Sequence, residues 1–487
     1  MSETSHSGSL DLPDGLEESD PGRLGHAGLT SLAICSMIPA VGMASFPMLL
    51  VVNAGWGSWI AALISAIAVI CIGMAVTVFA RRDTASGSLF AYIGDVFGPW
   101  ARSITAASLL LGYLAMVASI LLVIGAYTGS FLVSIGIDDG LGKPTQLAIY
   151  AVASAIVAVI TYRGLDVSVL IAVVLTVICL PLLLLITGAS AAHTGLALHE
   201  QLSLHGTTFT SIVAGIASGS AFLVGFEGSA ALARETRDPK RSVPVAVMSV
   251  PIVLGSLYIA ATVLQAPGIM AARGAILDGA SSSTVLAHEA GLPDTFGKAT
   301  DLVLAIATFA ALIGFVNYGS RLVATLSIRG LLPSRFAEVN PRFHSPGAAI
   351  TLTILAGFCG ICVLALGFGG PLPSLYSAVS TLVVYFWVAP YVLVCVGAAV
   401  LLIRERAANV GFLIAMVAGA GTALWLYIGG IVSPPLQPAG AMSYVALGST
   451  AALALAFHAR IRREASSAPE PKWDEDPGDA ALVEERS

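Results

Sequence analysis

Between residues 27 and 459 the chain is a succession of long apolar blocks, separated by short polar segments that carry most of its Arg. A helix needs about 20 apolar residues to cross the hydrocarbon of a bilayer. On that measure the pattern predicts twelve membrane-spanning helices, at roughly 27 to 53, 56 to 80, 101 to 134, 145 to 162, 167 to 190, 208 to 233, 243 to 265, 301 to 327, 347 to 369, 374 to 402, 409 to 431 and 440 to 459. The segment 266 to 300, with its small polar run Ser281 to Thr284, is too short for a core of its own. It predicts short helices lying over one mouth of the bundle.

Composition agrees with the pattern. The 487 residues are 56% hydrophobic and 11% charged, with mean hydropathy +0.88. A soluble core cannot hide that much apolar surface, so the chain reads as an all-α polytopic membrane protein. Its 50 Gly and 24 Pro fit, because neighbouring helices satisfy backbone groups freed inside a membrane. The six Cys lie in apolar spans and read as packing; Cys359 and Cys362 lack the second pair of a zinc site. No metal or cofactor is expected. The net charge of -6 comes from acidic tails and points to no nucleic-acid partner. The first 26 residues lack the basic start and apolar core of a cleaved signal, so the first span is expected to be retained.

Arg and Lys set the orientation. With the N-terminus inside, the inner loops hold Arg81, Arg82, Arg102, Arg163, Arg234, Arg237, Lys240, Arg241, Arg329, Arg335, Arg342, Arg404 and Arg406, and the tail holds Arg460, Arg462 and Arg463. The outer loops hold only Lys143, Arg273 and Lys298. Both termini are therefore expected in the cytoplasm, in a cell membrane, with acidic tails at 1–26 and 460–487.

Two spans look broken. PAVGMASFP, from Pro39 to Pro47, brackets Gly42 with prolines in the middle of the first span. In the sixth, Gly219, Gly225 and Gly228 crowd the centre around Glu227, the one carboxylate near the middle of a span. An ionisable side chain there costs at least about 2.5 kcal/mol and reads as functional unless it is paired. A broken helix offers free amides at one half and free carbonyls at the other, which suit a zwitterion. The plainer alternative is that the glycines allow close helix approach and the prolines kink. Spans 27–190 and 208–402 form two sets of five, and an odd number turns the second set upside down. This is a 5+5 inverted repeat of LeuT-like type with broken helices 1 and 6, and the spans of 409–459 are two extra C-terminal helices.

At these residues the chain resembles the amino acid-polyamine-organocation permease family. The matching segments are AVGMASFP (Ala40 to Pro47) followed by Ala54-Gly55, TASGSLFAYIGDVFGPW (Thr84 to Trp100), GFEGSAALARETRDPKRSVP (Gly225 to Pro244) and SRLVATLSIRGLLPSRFAEVNPRFHSP (Ser320 to Pro346). They cover the first ten spans. The family has Gly where this chain has Ala40.

The resemblance implies that the amides of Val41, Gly42 and Met43 meet a substrate carboxylate. It places carbonyls around Ala221, Phe222 and Val224, beside Gly225, on its ammonium. Tyr113, Phe222 and Phe315 become the selectivity candidates, each with core packing as the alternative. Glu227 matches a glutamate that links binding to protonation in some members; the alternative is a structural tie to a neighbouring helix. Some proton-coupled members carry a lysine in span five, where this chain has Cys179. Sodium between span-one carbonyls and hydroxyls such as Ser320, or uniport or exchange, therefore stays open.

The expected function is a secondary permease for an amino acid or related small amine, moving its substrate by alternating access and coupled to protons or an exchange partner. A sodium symporter of the same fold, or a non-transporting sensor or channel, is the alternative. No catalytic residues are assigned, since the eight His fall in tails, loops or span ends. No GxxxxGK[ST] phosphate loop appears. The absence of a second midplane carboxylate or an Arg in the spans tilts the substrate toward a neutral amino acid or a simple amine. Partners are that small molecule and the lipid bilayer; the oligomeric state is open.

Overall fold

Apolar segments that must satisfy their own backbone in hydrocarbon adopt helices. The computed structural model describes residues 25–82, 89–343, 345–367, 372–434 and 437–467. Its helices, in chain order, are α1 (His26–Ser36), α2 (Pro39–Ala54), α3 (Ser58–Ala80), α4 (Leu89–Phe97), α5 (Pro99–Ser134), α6 (Lys143–Tyr162), α7 (Leu165–Thr194), α8 (Leu198–Ser203), α9 (Phe209–Gly219), α10 (Pro239–Ala271), α11 (Arg273–Leu277), α12 (Ser282–Glu289), α13 (Asp294–Ile328), α14 (Gly347–Gly367), α15 (Leu372–Arg404), α16 (Val410–Val432) and α17 (Met442–Ser467). The acidic tails and the small-residue turn that opens at Thr84 fall largely outside the described residues.

Among the described residues, 11 stretches are long and apolar enough to cross a membrane, and the first of them, His26–Ala80, contains α1, α2 and α3 over 55 residues. Straight, it would run roughly 80 Å, more than twice the thickness of a bilayer core. It folds back instead at the 3-10 turn Gly55–Gly57, where Gly55 takes φ 57. The segment after α10 forms the short helices α11 and α12, as its composition predicts, and α12 packs on α13, α7 and α10.

The outer helices turn large apolar side chains away from the protein. Val152 and Val159 on α6, Leu355 and Val363 on α14, and Val410, Ile414 and Val417 on α16 are all exposed. Such a surface belongs in hydrocarbon. The chain is a multi-pass membrane protein.

Inside, α5 packs along α13, α15 and α14, while α10 packs along α3 and α2. Prolines interrupt these helices without ending them, and at three of them a side chain replaces the missing donor. Pro47 cannot donate to the carbonyl of Met43, which takes Gln265 Nε2 at 2.9 Å. Pro267 likewise frees Val263, which takes Gln201 Nε2 at 3.1 Å, and Pro390 frees Phe386, which takes Ser108 Oγ at 2.6 Å. A buried carbonyl left bare would cost about 1–3 kcal/mol. At the Arg-bearing end, Arg82 beyond α3 pairs with Glu405 beyond α15, so the ends of those helices lie together.

Candidate functional site at two broken helices

The first span is broken, but earlier than its proline bracket suggests. Ile38, between α1 and α2, sits at φ 44 and ψ 80, a left-handed conformation that a β-branched residue avoids at a cost of order 1–3 kcal/mol. Pro39 then occupies the first position of α2, where its fixed φ suits a helix start and its missing N–H costs nothing. Pro47 stays inside α2. The amide of Gly42 already donates to Ile38 O at 3.0 Å, and Met43 lies deeper in the helix. The amides of Ala40 and Val41 are the ones at the open first turn. Of the three predicted amides, the structure thus places Val41 at the helix start and Gly42 and Met43 beyond it. Gly42 serves packing: a methyl group there would collide with the Tyr258 ring and hydroxyl.

The second break falls where the glycines predict. α9 ends at Gly219, a 3-10 turn covers Ser220–Phe222, and Gly225 at φ 84 starts a second 3-10 segment, Phe226–Glu235. Ten residues is long for this helix type, whose strained geometry marks functional breaks. The Ser220 carbonyl accepts both the Leu223 and Val224 amides, at 2.9 and 3.1 Å, and the Gly225 carbonyl accepts Gly228 N at 3.0 Å. The carbonyls of Ala221, Phe222 and Val224 lie outside those bonds. Ala221 and Val224 are buried, and Phe222 is half-buried against the core.

Glu227 sits just past this break and is 4% exposed. Trp387 Nε1 donates to its Oε1 at 2.7 Å, and the Tyr391 hydroxyl donates to its Oε2 at 2.7 Å. The Gly225 amide in turn donates to the Tyr391 hydroxyl at 3.0 Å. Trp387 and Tyr391 are four residues apart on α15, hence on one face. A Trp N–H can only donate, so Oε1 must accept. Tyr391 is different: its oxygen has a lone pair beyond the one that accepts the Gly225 amide, so the hydroxyl can turn to accept a hydrogen bond from a protonated Oε2. The cage therefore holds Glu227 in either protonation state.

Aromatic rings close around this point. Tyr113 on α5 lies 5.3 Å from Trp387 and 6.2 Å from Phe315 between centroids, and Phe315 lies 6.1 Å from Tyr318. The α-carbon of Gly225 faces Phe315 and Trp387, and that of Gly228 faces Tyr318 and the Tyr113 hydroxyl. The Tyr318 hydroxyl reaches Ser36 Oγ at 3.2 Å, on the last turn of α1 before the first break. The fold thus brings Tyr113, Phe315, Gly225 and Glu227 together and links them to both breaks. Trp387, Tyr391 and Tyr318 complete the cluster; their only sequence signal is an i, i+4 aromatic pair flanking Pro390. Ser320, a candidate sodium ligand, is fully buried and donates to Asn317 O at 3.0 Å.

The Amino acid permease family model matches residues 24–455. The chain is 25% identical over 339 residues to "Cationic amino acid transporter 7, chloroplastic" of Arabidopsis thaliana, covering 64% of this chain and 55% of that one. It is 24% identical over 316 residues to "Branched-chain amino acid permease BcaP" of Bacillus subtilis (strain 168), covering 61% of this chain and 65% of that one. The matched region thus spans little more than half to two thirds of those relatives. Among solved structures, Mhp1, a nucleobase-cation-symport-1 family transporter in a closed conformation with bromovinylhydantoin bound, superposes with a TM-score of 0.51 at 14% identity. That match covers 93% of this chain and 96% of Mhp1, and it shows a shared fold.

Proposed function

The chain belongs to the amino acid permease family, and from that premise we propose that it is a secondary transporter moving a neutral amino acid, or a related small amine, across a cell membrane by alternating access. The carrying observation is the pair of helix breaks, at Ile38 and at Leu223 to Gly225, tied to one aromatic cluster that holds a caged carboxyl group. Counting the first 55-residue stretch as two crossings gives twelve among the described residues, and the Arg-rich loops support a cytoplasmic side for both termini.

The inverted repeat is supported by which helices touch. α2 packs on α9, α3 on α10, α5 on α13 and α6 on α14, so members of the first five crossings lie against their counterparts in the second. Each third crossing is also preceded by short helices, α4 before α5 and α11 and α12 before α13. α16 and α17 lie outside this scheme.

In this reading the amides of Ala40 and Val41, joined by Gly42 and Met43 once the first turn loosens, receive the substrate carboxylate, and the carbonyls of Ala221, Phe222 and Val224, with Gly225 as the hinge between them, receive its ammonium. Tyr113, Phe315 and, from the 3-10 turn, Phe222 wall the side chain. Both Glu227 oxygens are taken by Trp387 and Tyr391, so the wall of Tyr113 and Phe315 offers a cationic side chain no free carboxylate and favours an apolar one, which selects the branched-chain relative as the better guide. Glu227, whose cage tolerates both protonation states, is the proton-coupling group.

Counterflow in proteoliposomes tests this directly. Vesicles preloaded with unlabelled leucine, isoleucine or valine should accumulate the labelled amino acid transiently and saturably. Flux that never saturates points to a channel, and binding without flux points to a sensor.

A further inference from the structure

A second carboxylate is buried at the end of the bundle away from the Arg-bearing loops. Asp301, near the start of α13, is 1% exposed and accepts hydroxyl hydrogen bonds from Ser130 on α5 at 2.5 Å, Thr284 on α12 at 2.9 Å and Ser283 at 3.3 Å. No ion pair among the described residues includes it. A buried charge without a counter-charge is expensive.

Next to it lies a cavity of about 70 Å³, whose polar wall is Ser45, Tyr127, Ser130, Ser281, Ser282 and Tyr376. Ser130 spends its proton on Asp301, which leaves its oxygen lone pairs for a further partner. On the same wall Tyr127 shares a 2.9 Å hydrogen bond with Ser45. Tyr376 is 8% exposed; its hydroxyl lies near Ser45 but makes no hydrogen bond of ordinary geometry among the described residues. A carboxylate, hydroxyl oxygens turned outward from it and an unsatisfied buried hydroxyl make a field that attracts positive charge.

We propose that this cavity binds a small monovalent cation, an alkali metal ion or a primary ammonium group, held by the oxygens of Ser130 and Tyr376 and by the Ser45–Tyr127 pair, with Asp301 as the counter-charge. One water needs about 10–15 Å³ on the same measure. The cavity therefore takes a small cation with a few waters, or methylammonium, and excludes bulky organic cations. It shares no residue with the Glu227 cluster.

The test is the thermal midpoint of the full-length purified protein in amino-acid-free buffer, at constant ionic strength, with sodium, potassium or methylammonium chloride replacing N-methylglucamine chloride. Binding to the folded state raises the midpoint saturably. At least one small cation is expected to do so, with the response lost in Asp301→Asn and its half-saturating concentration raised about tenfold in Tyr376→Phe, as the loss of one good polar contact implies. A response to the metal ions alone identifies a metal site, and one to methylammonium alone an amine site. No response beyond that to N-methylglucamine, or an unchanged response in Asp301→Asn, overturns the proposal. Should Asp301→Asn not fold, wild-type half-saturation in both Tyr376→Phe and Ser130→Ala overturns it instead. No substrate or flux enters the measurement, so its outcome is separate from that of the transport assay.

Discussion

Gln265 Nε2 lies 2.9 Å from the Met43 carbonyl, the group that Pro47 leaves without a donor, and 2.8 Å from Thr187 Oγ1. One side chain on α10 thus holds α2 intact across its proline, close behind the first break. Gln265→Leu should lower stability by about 1 kcal/mol, the size of a buried hydrogen bond between membrane helices. Pro47→Ala restores the missing N–H. In that background the cost of Gln265→Leu should shrink, and a double-mutant cycle read by thermal midpoints measures the difference. Equal costs in both backgrounds would show that the bond to Met43 contributes nothing.

Glu227→Gln preserves the shape of the cage. Its carbonyl oxygen can keep the Trp387 N–H, while its amide N–H₂ turns the Tyr391 hydroxyl into an acceptor. Uptake should persist but lose its dependence on external pH, since Gln carries no exchangeable charge. A pH–rate profile identical to wild type would return Glu227 to the role of a structural tie. Glu227→Ala is a different experiment: it strands a buried Trp387 N–H, and should cost about 1–3 kcal/mol in stability.

The parts of this architecture that were legible in the sequence are those written locally. Apolar blocks mark the crossings because each helix must satisfy itself in lipid, and Gly225 marks the second break because only glycine takes φ 84 without strain. The first break lies at Ile38, ahead of the bracket that Pro39 and Pro47 mark in the sequence. A proline at a helix start and a proline in mid-helix look alike in a string such as IPAVGMASFP, and the residue that turns the chain, Ile38, is one that local preference argues against. Partners for Glu227 were invisible for another reason: Trp387 and Tyr391 sit more than a hundred residues away in a span that reads as uniformly apolar. Asp301 gives no local signal because it falls at a span end, and only the fold brings Ser130 and Thr284 onto it.

Gly225→Ala combines two separable penalties. A β-carbon at φ 84 costs about 1–2 kcal/mol, and it would stand 2.7 Å from Phe315 Cε1. Stability and uptake should both fall. Adding Phe315→Ala should recover the steric share and leave the backbone share, so the double variant should be more stable than the sum of the singles allows. Additive losses would mean that the ring moves aside freely and does not wall the break.

Phe315 itself decides whether the ring cluster is a binding wall or a core. It touches Tyr113, Tyr318 and the α-carbon of Gly225, contacts that either role would produce, so burial alone cannot distinguish them. Selectivity can. If the ring bounds the substrate side chain, Phe315→Ala opens room for several more methylene groups, and apolar contacts discriminate by about 10–200-fold per methylene-scale difference. Uptake of phenylalanine relative to valine should then rise at least tenfold, while total stability falls by about 3 kcal/mol as for other large-to-small core changes. A loss of stability with the phenylalanine-to-valine ratio unchanged would assign the ring to packing and move the selectivity wall to Tyr113 and Phe222, where the same ratio, measured in Tyr113→Ala and Phe222→Ala, can be read in turn.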